Sequence, residues 1–221
     1  MVYNRMCMDI TYLVIVLVTI LLSMTLHEVM HAFMGYFLGD DTAKAQGRLT
    51  LNPLKHIDPV MTIALPLMLA IMNGPIFGGA KPVPFNPDRV RYGEWGAAMV
   101  ALAGPITNFL IAFVVFGIGV VSGVISADGI ASGIWGTVVM TAIQVNLGFF
   151  MFNILPIPPL DGSRVLYALA PGPVRAIMEQ IERYGVFLVF AIVLLGSSVL
   201  SQIMVAGMNG VLQLFMTIFR V

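Results

Sequence analysis

Residues 10–38 form an apolar run in which only His27, Glu28 and His31 can carry a charge. About 20 apolar residues in a helix cross the hydrocarbon core of a bilayer, so this run is long enough to span it. It is also longer than the roughly 7–15 apolar residues of a secretory signal, and no A-x-A cleavage site follows it. We therefore predict a retained first transmembrane helix that holds ionisable side chains at membrane depth.

The composition of the chain excludes several classes of protein. Of its 221 residues, 59% are hydrophobic and 10% are charged, whereas a soluble domain carries roughly 25% charged residues. The 11 basic and 11 acidic side chains cancel, which gives no electrostatic basis for binding nucleic acid. Cys7 is the only cysteine, which excludes an internal disulfide and a cysteine-rich metal site. We expect a single membrane domain over residues 1–221 that contacts lipid and no nucleic acid.

The rest of the chain predicts further helices and one irregular region. Three more stretches are apolar enough to span a membrane, the last as one long helix or as two: residues 95–125, 134–155 and 185–219. Residues 60–73 are apolar but too short to cross, and Pro66 interrupts them. The glycine- and proline-rich loop at 74–93 cannot form a regular helix. The prediction is an all-α polytopic membrane protein of about 4–6 transmembrane helices, with a re-entrant region near residues 59–93.

The ionisable residues of the first helix form the pattern H-E-x-x-H. On a helix, His27 and His31 project from one face with their Cβ atoms about 6 Å apart, so both can bind one metal ion. Glu28 lies beside them and can act on a water molecule rather than on the metal. A chance match is the alternative, but it would leave two of the three histidines of the chain and a glutamate at membrane depth without compensation.

A catalytic zinc ion usually has three protein ligands, so one more is needed. Asp161 is a candidate because it follows an apolar span and the proline-rich segment "NILPIPPLDG". Irregular backbone at membrane depth is tolerated where protein or water covers it. The Asp-Gly dipeptide is also common in ordinary turns, so both interpretations stay open at this point.

These motifs together resemble the site-2 protease family of intramembrane zinc metalloproteases. "HEVMH" and "NILPIPPLDG" are similar to the two metal-binding motifs of that family, and "AGPITN" is similar to an element on the helix between them. "GRLTLNPLKHIDP" and "GAKPVPFNP" resemble segments of its small bacterial and archaeal members. No PDZ or nucleotide-binding module is visible in the sequence, so the means of substrate selection stays open.

The resemblance implies a role for each matching residue. His27, His31 and Asp161 would be the ligands of one zinc ion per chain, and Glu28 would be the general base. Asn153 and Asn108 would be polar groups of the active site that contact the substrate or the oxyanion. The implied activity is hydrolysis of peptide bonds in or near transmembrane segments of membrane-protein substrates, in regulated intramembrane proteolysis.

Membrane topology provides a separate argument. If His31 and Asp161 share a metal, the spans that precede them run in the same direction, and residues 60–73 cannot cross. Basic residues occur in segments 39–93 and 163–184 and are absent from 126–133. The positive-inside rule therefore predicts a multi-pass protein of the cell membrane with its active site nearer the cytoplasm. The alternative, in which residues 60–73 cross, would place three arginines outside.

Some alternatives remain open at the level of the sequence. Broken helices and polar groups at membrane depth also occur in transporters and channels, and a catalytically silent relative would bind membrane partners. The segment "GAKPVPFNP" is either an extended edge that pairs with an unwound substrate or a rigid cytoplasmic loop. His56 is either a further metal ligand or, as we expect for a histidine beside a proline turn, a structural residue.

Overall fold

The computed structural model describes residues 10–64, 67–68, 79–185, 187–189, 191 and 197–221. Helices dominate this part of the chain, and the strands form one short antiparallel hairpin. The α-helices are α1 (Ile10–Leu38), α2 (Thr42–Ala45), α3 (Glu94–Val121), α4 (Ile134–Asn153), α5 (Gly162–Leu169), α6 (Gly172–Glu182) and α7 (Ser197–Phe219). The strands are β1 (Ile125–Ser126) and β2 (Gly129–Ile130); short 3₁₀ helices occupy Pro53–Lys55 and Pro87–Arg89, and a π-helix occupies Pro59–Ala64.

Four of the described helices, α1, α3, α4 and α7, are long and apolar enough to cross a membrane. The protein is therefore an all-α polytopic membrane protein, as predicted. The first span has the predicted bounds, whereas α3 ends before residue 125 and α4 ends before residue 155. Whether residues 185–219 form one span or two depends on positions outside the described residues.

Helix α3 lies at the centre of the bundle and packs against α1, α4 and α5. Its buried face is rich in small residues, among them Ala97, Ala98, Ala101 and Gly104. Small residues allow helix backbones to approach closely in a membrane. Farther along α3, phenylalanines such as Phe116 pack around the fully buried Phe215 of α7. The small-residue half of α3 is the half that faces the histidines of α1.

Between α1 and α3, hydrogen bonds join residues 61–62 to residue 79. The amide of Gly79 donates to the carbonyl of Met61 over 2.9 Å, and the hydroxyl of Thr62 donates to the carbonyl of Gly79 over 2.6 Å. Residues 61–62 and residue 79 thus lie side by side. Residues 65–66 and 69–78 lie outside the described residues, so the re-entrant region near residues 59–93 stays a prediction.

Residues 79–86 then run as an extended segment along the end of α1. The amide of Lys81 donates to the carbonyl of His56, and its own carbonyl accepts from Arg48. The amide of Asn86 donates to the buried carboxylate of Asp40 over 2.8 Å. Burial raises the pKa of Asp40, but the hydrogen bonds from Asn86 and Thr42 outweigh it and hold that pKa below its usual value. The carboxylate therefore stays ionised and fixes one end of the segment.

Candidate metal centre

The metal-binding atoms of His27, His31 and Asp161 meet at one point. The two Nε2 atoms are 2.9 Å apart, and Oδ2 of Asp161 lies 3.2 Å from Nε2 of His27 and 3.5 Å from Nε2 of His31. Tetrahedral ligands about 2.0–2.1 Å from a zinc ion lie roughly 3.3 Å from one another. The three side chains thus have the spacing of ligands around a single small cation.

Asp161 reaches the histidines because the chain reverses sharply after α4. Pro156 has no amide hydrogen and ends the helix, and two more prolines stiffen the turn that follows. A Cβ atom on Gly162 would lie 2.1 Å from the carbonyl oxygen of Ile154, so only glycine allows the chain to return against the end of α4. Asp161 is the last residue of this reversal and Gly162 is the first residue of α5, and this position brings the carboxylate to the histidines.

The other ring nitrogen of each histidine is held by an acceptor. Nδ1 of His31 lies 2.8 Å from the carbonyl oxygen of Val100, and Nδ1 of His27 lies 2.6 Å from Oδ1 of Asn108. Each Nδ1 therefore carries the proton and donates it, which leaves both Nε2 atoms with a free lone pair. Such partners orient metal-binding histidines and fix their tautomer.

The arrangement of the two Nε2 atoms and Oδ2 of Asp161 favours a bound cation. Two lone pairs and a carboxylate oxygen face each other, and Oδ2 of Asp161 is buried without a hydrogen-bond partner in the described part of the chain. Three acceptors at this spacing repel one another unless a cation or a proton lies between them. The donor set of two imidazoles and a carboxylate suits zinc. The residues present fit a zinc ion.

Gly104 of α3 forms the wall of this site. A Cβ atom on Gly104 would lie 2.4 Å from Nε2 of His31 and 2.6 Å from Nε2 of His27. The glycine of "AGPITN" is therefore what allows α3 to pass directly behind the metal-binding atoms. Sequence analysis had singled out the motif but not this contact.

Glu28 lies beside the three candidate metal ligands in a cavity of about 470 Å³. The cavity is largely apolar, and its polar lining residues are His27, Glu28, His31, Asn153, Asp161, Arg164 and Glu182. Oε2 of Glu28 accepts the amide hydrogen of Val83 over 2.8 Å. Val83 stands between two prolines, so its amide is the one backbone donor of residues 82–84. Glu28 therefore faces the cavity and holds the extended segment over it.

Comparisons with known proteins agree with this geometry. The sequence profile of peptidase family M50 matches residues 119–196, which include Asp161. The chain is 43% identical over 186 residues, 82% of each protein, to YwhC of Bacillus subtilis, whose name gives it provisionally as a zinc metalloprotease. The chain belongs to peptidase family M50.

Two further relatives are more distant and longer. Rip2 of Mycolicibacterium smegmatis, provisionally named a zinc metalloprotease as well, is 31% identical over 71% of this chain and 57% of its own length. Rip2 of Mycobacterium tuberculosis is 29% identical over 68% of this chain and 55% of its own length. The chain thus spans a little over half of the length of each Rip2 protein. No solved structure matches the chain.

Of the other residues considered in the sequence of this M50 protease, Asn153 lies at the cavity, whereas Asn108 and His56 do not. Asn153 lines the cavity and donates one amide hydrogen to the carbonyl of Phe149. Asn108 is fully buried behind His27 and is absent from the described lining of the cavity, so its contact is with the ring and not with the cavity. His56 donates to the carbonyl of Thr50 and lies apart from the metal-binding group, as expected of a structural residue.

Sequence analysis missed several polar groups near the site. Asn108 donates to the buried Asn146, which in turn donates to the buried Ser23. Arg164 lines the cavity one helical turn beyond Asp161 and pairs with Glu182. Asn146 and Ser23 could have been found from the sequence, because each is a polar residue within a predicted span.

Proposed function

We propose that this M50 protease is an intramembrane zinc endopeptidase that binds one zinc ion through His27, His31 and Asp161. The observation that carries the proposal is the convergence of three metal-binding atoms within a bundle of membrane-spanning helices. The ligands from α1 and from the turn after α4 meet where both helices pack against α3. The proposed substrates are membrane proteins cleaved in or near their transmembrane segments, in regulated intramembrane proteolysis.

The chemistry divides between the metal and the side chains. Zinc, when bound, would polarise the scissile carbonyl and make the attacking water acidic. Glu28 would accept the proton of that water on Oε1, because Oε2 already accepts the amide hydrogen of Val83. Glu28 would then donate this proton to the leaving amine, so that it ends the cycle ionised. Asn153 keeps one amide hydrogen for the substrate carbonyl or its oxyanion.

Water and substrate would reach the cavity from the cytoplasmic side. The cavity is bordered by the ion pair between Arg164 and Glu182, whose side chains are 30% and 37% exposed. Basic residues are concentrated in the segments that follow α1 and α4, and the β hairpin between α3 and α4 has none. The positive-inside rule assigns the ends of α1 and α4 that hold the ligands to the cytoplasm.

The extended segment over the cavity suits an unwound peptide. Residues 81 and 83 use their amides to bind the body of the protein. Because the backbone polar groups of successive residues in an extended chain alternate between its two edges, those of residues 80, 82 and 84 would lie on the edge opposite these contacts. Pro82 and Pro84 offer carbonyl oxygens only, so a substrate strand would pair there through its own amides.

The two alternative functions have weaker support. A transporter would place polar groups along a path across the bilayer, whereas Ser23, Asn108 and Asn146 bond to one another and to His27. In a catalytically silent protein Glu28 would serve only to hold Val83, which does not explain its position beside the three candidate metal ligands.

Replacing the general base tests the activity directly. Glu28→Gln keeps the size of the side chain and its bond to Val83 but cannot accept a proton. We expect loss of cleavage of a transmembrane reporter by at least about 100-fold, within the usual contribution of acid–base catalysis. Zinc content should not change, because Glu28 is not a ligand. Cleavage by the variant at the wild-type rate would contradict the mechanism.

A further inference from the structure

Asn146 lies in the middle of α4 and is 1% exposed, yet it contacts neither the cavity nor a metal ligand among the described residues. Its Oδ1 accepts from Nδ2 of Asn108 over 2.9 Å, and its Nδ2 donates to Oγ of Ser23 over 2.9 Å. Asn108 in turn accepts from Nδ1 of His27. Four buried side chains from three helices thus form one line of hydrogen bonds that ends at a metal ligand.

The direction of this line is fixed by a backbone group. Nδ2 of Asn146 lies 2.8 Å from the carbonyl oxygen of Ala142, which can only accept. If the amide of Asn146 were turned by 180°, its Oδ1 would face this carbonyl and the two oxygens would repel. Oδ1 of Asn146 must therefore face Asn108, and Asn108 must present its Nδ2 to Asn146 and its Oδ1 to His27.

We propose that Asn146 is a positioning residue that, through Asn108, keeps the proton of His27 on Nδ1 and the lone pair of Nε2 directed at the metal. This inference rests on the proposed function for the identity of the metal. The hydrogen-bond pattern itself needs no metal. The carbonyl of Ala142 sets the direction, and the two asparagines pass it to the imidazole ring.

The two histidines differ in how their tautomers are set. The Nδ1 proton of His31 is held directly by the carbonyl of Val100 on α3, which no side-chain substitution removes. The Nδ1 proton of His27 is held by an amide that could turn over. Without Asn146, Asn108 could present Nδ2 to the ring, and the proton of His27 would move to Nε2, where it blocks metal binding.

Ser23 provides a matched control within the same line. Ser23→Ala removes one hydrogen bond of Asn146 but leaves the bond to Ala142, so the direction of both amides is kept. Asn146→Ala removes the side chain that bonds to Ala142 and thereby sets the orientation of the Asn108 amide. Both substitutions delete a buried polar group of this line, a hydroxyl in Ser23→Ala and a larger carboxamide in Asn146→Ala, so the two variants are compared only after circular dichroism shows the wild-type helical content in both.

The test is zinc affinity, measured by competition with a chelator on the detergent-purified full chain. We expect Asn146→Ala to weaken zinc binding by about 10–100-fold, the usual effect of losing such a supporting contact. Ser23→Ala should bind zinc as the wild type does. Equal weakening in both variants, or wild-type affinity in Asn146→Ala, would overturn the inference.

Nuclear magnetic resonance of ¹⁵N-labelled histidine gives a second readout that needs no variant. The chain has only three histidines, so their ring nitrogens can be distinguished. We expect the proton of neutral His27 on Nδ1, and a proton on Nε2 would overturn the inference even if Asn146→Ala fails to fold. A wild-type protein without zinc affinity would defeat the proposed function, while the proton position in the metal-free protein would still decide this inference.

Discussion

At the scale of single residues, the site requires a residue without a side chain at position 104. Gly104 lies against the metal-binding nitrogens of both histidines, and a methyl group there would overlap them. Gly104→Ala should therefore lower zinc affinity by on the order of 100-fold, the upper end of the effect of disturbed metal surroundings. A chelator competition titration measures the change.

Gly35 of α1 is the control for this substitution. It is also a buried helical glycine, but a Cβ atom there would have nothing within 4 Å. Gly35→Ala should leave zinc affinity unchanged and should favour the helix slightly, because alanine is the better helix former. Wild-type zinc affinity in Gly104→Ala would show that α3 does not lie where the structure places it.

The site residues could be predicted from the sequence only as far as they are local. His27, Glu28 and His31 lie within two helical turns, so a helical pattern is enough to bring them together. Asp161 comes from a distant turn, and its sequence context left two interpretations until the resemblance to a family was considered. Gly104 and Asn146 act across helix–helix contacts, which no local pattern records.

At the scale of elements, hydropathy predicted which segments span the membrane but not where each helix stops. Helix α3 ends at Val121 because Ser122 caps it and Gly123 adopts a φ of 73°, a conformation that suits glycine. Residues 122–125, the end of the predicted span, form a turn and the start of β1 instead. The prolines of residues 79–86 excluded a regular helix and left an extended edge and a rigid loop as alternatives. The contact of this segment with Glu28 depends on the end of α1 and on Asp40.

At the scale of the whole molecule, the meeting of His31 and Asp161 fixes the relative direction of two helices. Each residue lies toward or just beyond the C-terminal end of its helix, so α1 and α4 run in the same direction and α3 runs back between them. The β hairpin and the metal site therefore lie at opposite ends of the bundle. From the distribution of basic residues we propose that the metal end faces the cytoplasm.

Cysteine labelling in intact cells tests this orientation, in a background in which Cys7 is replaced by serine. Cysteines at Ser126 and Ser132, both exposed near the hairpin, should react with an impermeant thiol reagent added outside. Cysteines at the exposed positions Gln46 and Ala176 should react only after the membrane is opened. If only the cysteines at Gln46 and Ala176 were labelled from outside, the orientation would be the reverse of the one proposed. If all four were labelled from outside, the molecules would not share one orientation.

The central claim is that α1 and the turn after α4 bind one metal ion together, and metal analysis of the purified protein tests it most directly. We expect about one zinc ion per wild-type chain, and Asp161→Ala, which removes a ligand from outside α1, should lose most of that zinc while its helical content is retained. Folded wild-type protein that takes up no zinc, or Asp161→Ala protein that binds zinc as tightly as the wild type, would contradict the account.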